Sequence, residues 1–142
     1  MEQRISLVTL GVADIEAAAA FYEALGWQRV PGEEGVIAFD LIGQTLGLYP
    51  LADLARDMGL SVEALGHGAM TLAYNVRDKA QVAELIDTAE RAGATVLKSA
   101  HDVFWGGHIG YFRAPDGCIW EVAFNPYAPL AEDGSFRWLG YA

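Results

Sequence analysis

One pattern occurs twice in this chain, and that repetition restricts the fold more than any other feature. "ISLVTLGVAD", residues 5 to 14, alternates like a strand, with Val8, Leu10 and Val12 on one face and Leu7, Thr9 and Gly11 on the other. Asp14 stands where a helix N-cap belongs. "IEAAAAFYEAL" follows with Phe21, Tyr22 and Leu25 at helical spacing, and Gly26 ends it. Three short strand-like runs come next: "WQRV", "GVIAFDLI" and "QTLGLY". From residue 69 the same order returns. "AMTLAYNVRD" alternates, placing Leu72, Tyr74 and Val76 opposite Thr71, Ala73 and Asn75. Asp78 caps "KAQVAELIDTAERA", whose apolar stripe is Val82, Leu85, Ile86 and Ala89, and Gly93 stops it. "TVLKS", "HIGYFRA" and "CIWEVAF" supply three more strands.

The expected fold is therefore α+β, a β-α-β-β-β module written twice. Asp14 and Asp78 are 64 residues apart in the sequence, a period too long for a solenoid. At 142 residues the chain is expected to be one domain. Module one covers about 5–50, a connector 51–68, module two about 69–126 and a C-terminal tail 127–142. The connector reads as part helix. Phe136 and Trp138 are anchoring candidates in the tail.

Charge narrows the partners. Nine Lys and Arg against nineteen Asp and Glu give a net charge of −10, which repels nucleic-acid backbones and anionic lipid. No nucleic-acid or membrane partner is expected. No apolar run approaches a membrane span, and "MEQRISLVTL" lacks a signal-peptide layout, so a cytoplasmic location is expected. The one cysteine, Cys118, can form no internal disulfide.

The doubled unit, together with "GVADIEAAAAFYEALGW" and "GYFRAPDGCIWEVAFNP", resembles the vicinal oxygen chelate superfamily of glyoxalases, bleomycin-resistance proteins and extradiol dioxygenases. The resemblance spans roughly residues 5 to 126, and implies that the two β-α-β-β-β modules form curved mixed sheets around a cleft. In metal-using members, it implies, each module gives two ligands to one divalent ion. One lies about seven residues before the capping Asp, and the other, typically Glu, lies on the last strand. Here the first pair of positions holds Leu7 and Thr71. On the last strands Glu121 fits, while its counterpart, found by aligning "GQTLGLY" with "GCIWEVA", is Gly47. One carboxylate and one hydroxyl are too few for a resident ion, so neither a metal nor any other cofactor is expected. A divalent ion held with a substrate's help is the alternative.

Three histidines do not restore the set: His67 and His101 read as loop or surface residues, and His108 as a cleft candidate freed by Gly106 and Gly107. Glu121 is either a hydrogen-bonded remnant, served by Thr71 or Asn75, or a contact to a ligand's polar or cationic group, or a general base. Tyr49 shares a face with Gly47. "VFWGGHIGYF" packs Phe104, Trp105, Tyr111 and Phe112 into one segment, whereas Trp120, Phe124, Phe21 and Tyr22 read as core. The ligand-binding candidates are Thr9, Tyr49, Thr71, Asn75, Trp105, His108, Tyr111 and Glu121, with Glu121 also the catalytic candidate. The resulting expectation is a metal-free protein binding a small aromatic or cationic molecule, assembled as a homodimer. The alternative is a lyase, isomerase or dioxygenase-like enzyme using Glu121, and a third class is an interaction module.

Overall fold

A computed structural model describes residues 1, 3, 5–31, 35–66 and 70–141. His67 lies outside the described residues. The chain divides into two compact units, residues 1–69 and 70–142. Both are α+β, each built on one mixed sheet.

In the first unit, β1 (Leu7–Val12) leads into helix α1 (Ile15–Ala24), followed by β2 (Ile37–Leu41) and β3 (Gln44–Pro50). The strand order is β1-β3-β2, with β1 parallel and β2 antiparallel to β3. Asp14 caps α1, its carboxylate accepting the Ala17 N–H at 3.0 Å. The helix closes through Gly26 at φ +100°, where the Trp27 and Gly26 N–H groups reach back to the Tyr22 and Glu23 carbonyls. Buried Leu10, Val12, Ile37, Phe39, Leu46 and Leu48 meet Ala18, Ala19, Phe21 and Tyr22 of α1. This single apolar layer drives the packing of helix on sheet.

The second unit has all four expected strands. β4 (Leu72–Val76), helix α3 (Ala80–Arg91), β5 (Thr95–Asp102), β6 (His108–Arg113) and β7 (Ile119–Phe124) form a sheet of order β4-β7-β6-β5. Asp78 and Gln81 share the capping of α3: Asp78 accepts the Ala80 N–H at 2.8 Å, and Gln81 accepts those of Arg77 and Asp78. Between the units' sheets in sequence, the connector supplies α2 (Leu51–Met58) and a 3₁₀ turn at Val62–Ala64, both in the first unit.

The first unit departs from the expectation at "WQRV". Only Val30 bridges to the sheet, opposite Ala38, and no strand forms there. The side chains explain why. Trp27 stacks on Tyr22 with centroids 5.2 Å apart, and Arg29 pairs with Glu23 at 2.6 Å and Glu16 at 3.0 Å. These ties hold the segment against α1 instead of extending it along the sheet. No helix among the described residues is long and apolar enough to cross a membrane.

Candidate functional site

Register makes the key positions of the two units equivalent. In the parallel ladder of the first unit, Thr9 pairs with Gly47; in that of the second, Ala73 pairs with Glu121. Thr9 precedes Asp14 by five residues and Ala73 precedes Asp78 by five, so Gly47 and Glu121 are equivalent positions. The first unit's sheet turns Leu7, Thr9, Ala38, Thr45, Gly47 and Tyr49 away from α1. These residues, with Ser6 and Val36, line an open depression of about 410 Å³. Helix α2 covers the far end of this face, because Leu51 and Leu54 sit directly over Gly11. Two polar groups there are engaged with neighbours: Thr45 donates to Asp40 at 2.8 Å, and the Tyr49 hydroxyl to Asp57 at 2.8 Å. The Asp57 carboxylate beside Tyr49 raises that phenol's pKa.

On the second unit, α3 identifies the packed face. A side chain at Gly110 would collide with Ile86, and Phe112 stacks on Trp120 at 6.4 Å. Glu121 faces the other way. Its cross-strand partner on β6 is Tyr111, which donates its hydroxyl to Glu121 Oε2 at 2.8 Å. That bond, with burial and the carboxylate's charge behind it, raises the Tyr111 pKa. The donor is thus Tyr111, where the sequence had suggested Thr71 or Asn75. Alternation had treated Tyr111 only as an aromatic wall, since a β6–β7 register is invisible to local pattern.

The remaining candidates separate. Asn75 shares the face of Glu121, one row along and level with Ala123. Thr71 is exposed just ahead of β4. Trp105 occupies the β5–β6 turn, closed by bonds from Val103 to Gly107 and from Gly106 to Val103, and its indole folds over Gly107 where a Cβ would overlap it. Phe104 beside it is fully exposed. His108 does not join Glu121. Paired with Phe124, it lies on the α3 face, bound to Asp102 at 2.8 Å, while Lys79 at the start of α3 reaches the same oxygen at 2.7 Å. Lys79 first, then His108, lowers the Asp102 pKa. His101 is the histidine that shares the face of Glu121, since it pairs with Ile109, which pairs with Ala123. Sequence reasoning missed it because β5 carries irregularities between Val96 and Lys98 and between Lys98 and His101, which break strict alternation.

A profile of the Glyoxalase/Bleomycin resistance protein/Dioxygenase superfamily matches residues 4–122. The chain belongs to that superfamily. Within it, a glyoxalase-related enzyme from Fulvimarina pelagi is 37% identical, with 97% of this chain and 99% of that one covered and a TM-score of 0.89. Lactoylglutathione lyase from Agrobacterium tumefaciens is 27% identical over 88% of this chain and 96% of its own, with a TM-score of 0.68. A superfamily protein from Burkholderia phytofirmans PsJN, 22% identical with a TM-score of 0.77 over 85% and 98%, shares the fold. No curated protein sequence matches significantly.

The superfamily's metal plan does not fit these residues. Leu7 and Gly47 offer no donor atom, and Glu121 is committed through one oxygen to Tyr111. Among the described residues, no three His, Cys, Asp or Glu side chains cluster closely enough to hold an ion. Cys118 offers no nucleophile either, because burial pushes its thiol up to about 12.

Proposed function

We propose that this superfamily member binds a small organic molecule, aromatic or cationic in character, without a resident metal. The observation that carries the reading is the pair of equivalent registers, Thr9 beside Gly47 and Ala73 beside Glu121. At equivalent positions the first unit presents an apolar hollow and the second a single carboxylate held by a phenol, and neither unit supplies the donors its share of a divalent ion's shell would need. A hollow with few polar groups suits an apolar body, and a half-buried carboxylate suits a donor or a cation.

Elemental analysis after gentle dialysis, run beside a thermal-shift screen of small aromatic and cationic compounds, tests this. Less than about one-tenth of a metal per chain with a saturable hit is the expected result. One Zn, Ni, Mn or Fe per chain would overturn it.

A second reading draws on the Fulvimarina pelagi relative, described as a glyoxalase-related enzyme. In that reading Glu121 acts as a base on a bound substrate. Turnover of lactoylglutathione, with and without added divalent metal, separates the two. We also propose a homodimer, supported by the exposed Phe136 and Trp138 of the tail, and sedimentation showing only monomer at tens of micromolar would remove it.

A further inference from the structure

The open face of the second sheet carries charges of both signs in a fixed order, which deepens the binding reading and rests on it. Across the strands one row runs Lys98, Tyr111, Glu121, Ala73. Ala73 and Ala123, two of the carboxylate's neighbours on this face, are small. In the adjacent row, His101 Nδ1 lies 2.8 Å from the Ser99 carbonyl. A carbonyl only accepts, so Nδ1 is the donor in that bond. The acceptor at the centre of the face is the Glu121 carboxylate.

Its rim is cationic. Lys98 is on the edge strand β5, and Arg113 ends β6 opposite Ile119, diagonal to Glu121. Both are exposed. Among the described residues, neither side chain has a hydrogen-bond or ion-pair partner. Adjacent strands are about 4.8 Å apart, so the Lys98 backbone stands about 10 Å from that of Glu121, a gap that a lysine side chain and a small ligand bridge together.

We propose that this face recognises a zwitterion of the amino-acid type, its ammonium on Glu121 and its carboxylate toward Lys98 and Arg113. Tyr111 is a positioning residue: by holding Oε2 it fixes the carboxylate's orientation and directs Oε1 to the ligand.

Four probes of one shape decide it: L-phenylalanine, 2-phenylethylamine, 3-phenylpropanoate and the neutral 3-phenylpropan-1-ol, each titrated by NMR against the full chain. Phenylalanine should bind about tenfold tighter than any of the other three. Glu121→Gln should remove about tenfold for phenylalanine and 2-phenylethylamine and leave 3-phenylpropanoate unchanged, as expected for a charge-assisted bond at a half-buried group. Lys98→Met should remove only about two- to fivefold, for phenylalanine and 3-phenylpropanoate alone, because an exposed charge is screened. Phenylalanine that fails to saturate, or binds no tighter than the alcohol, overturns the proposal, as does an affinity unaffected by Glu121→Gln. Saturable binding of the alcohol in that event leaves the small-molecule reading standing, whereas a stoichiometric metal in the purified chain would defeat that reading instead.

Discussion

The two sheets share a ladder and differ in what stands on it. Beneath the helices, Ile37 of the first sheet and Gly110 of the second hold equivalent positions, opposite Leu48 and Val122. On the open faces, Gly47 answers Glu121. Each sheet also sets a tyrosine against a carboxylate, but Tyr49 donates to Asp57 on a helix and Tyr111 to Glu121 on the neighbouring strand. The two units thus keep the same backbone pairing, while the residues facing away from the helices differ, largely apolar around Gly47 and polar around Glu121.

The packed faces give the largest expected contrast. Gly110→Val forces a side chain into Ile86 and also against the Lys98 carbonyl 2.9 Å away, which is backbone and cannot swing aside. Destabilisation of about 3 kcal/mol is expected by chemical denaturation. Ile37→Val at the equivalent position removes one methylene and should cost about 1 kcal/mol. Similar values for the two would show that the helices do not pack as described.

Next come the caps. Asp14→Ala loses the bond to the Ala17 N–H and should destabilise by about 1 kcal/mol. Asp78→Ala should lose about half of that, because Gln81 still holds the N–H groups of residues 77 and 78. The same denaturation series checks both, and an Asp78 loss exceeding that of Asp14 contradicts the shared cap.

Stability effects on the open faces should be smaller. Glutamine at 121 still accepts from Tyr111, so Glu121→Gln should shift stability by less than about 1 kcal/mol while changing ligand affinity. Gly47→Ala sets a methyl 3.3 Å from the exposed, mobile end of Leu7, and should stay within about 0.5 kcal/mol. A large melting shift from Glu121→Gln would make the carboxylate a structural hub.

The smallest effect is in the alkaline limb. Both phenols have raised pKa values in the folded chain, Tyr111 through Glu121 and Tyr49 through Asp57. A raised acid holds its proton more tightly when folded. Its stabilising contribution is therefore complete below the unfolded value of about 10 and disappears as pH climbs through the folded one. Tyr111→Phe and Tyr49→Phe should each flatten the decline in melting temperature above about pH 10. A decline identical to wild type in both variants would mean that neither bond persists in solution.

Local chemistry determined the repeat, the caps and the faces of the regular strands. Strand alternation and helix capping act over two to four residues, so Asp14, Asp78, Gly26 and the orientation of Glu121 were all legible from neighbours in the chain. The missing donors at Leu7 and Gly47 needed no coordinates either. Only tertiary structure decided that Tyr111 holds Glu121, since cross-strand register depends on which strands pair and where their turns close. It also decided which histidine shares that carboxylate's face: the irregular pairing of β5 brings His101 onto the open face, and the ladder from Phe124 sends His108 to α3 and Asp102. "WQRV" reads as a strand because its composition suits one. In the folded chain its tryptophan and arginine gain more from stacking on Tyr22 and pairing with Glu16 and Glu23 than an edge ladder would return, and those partners become adjacent only once α1 has formed.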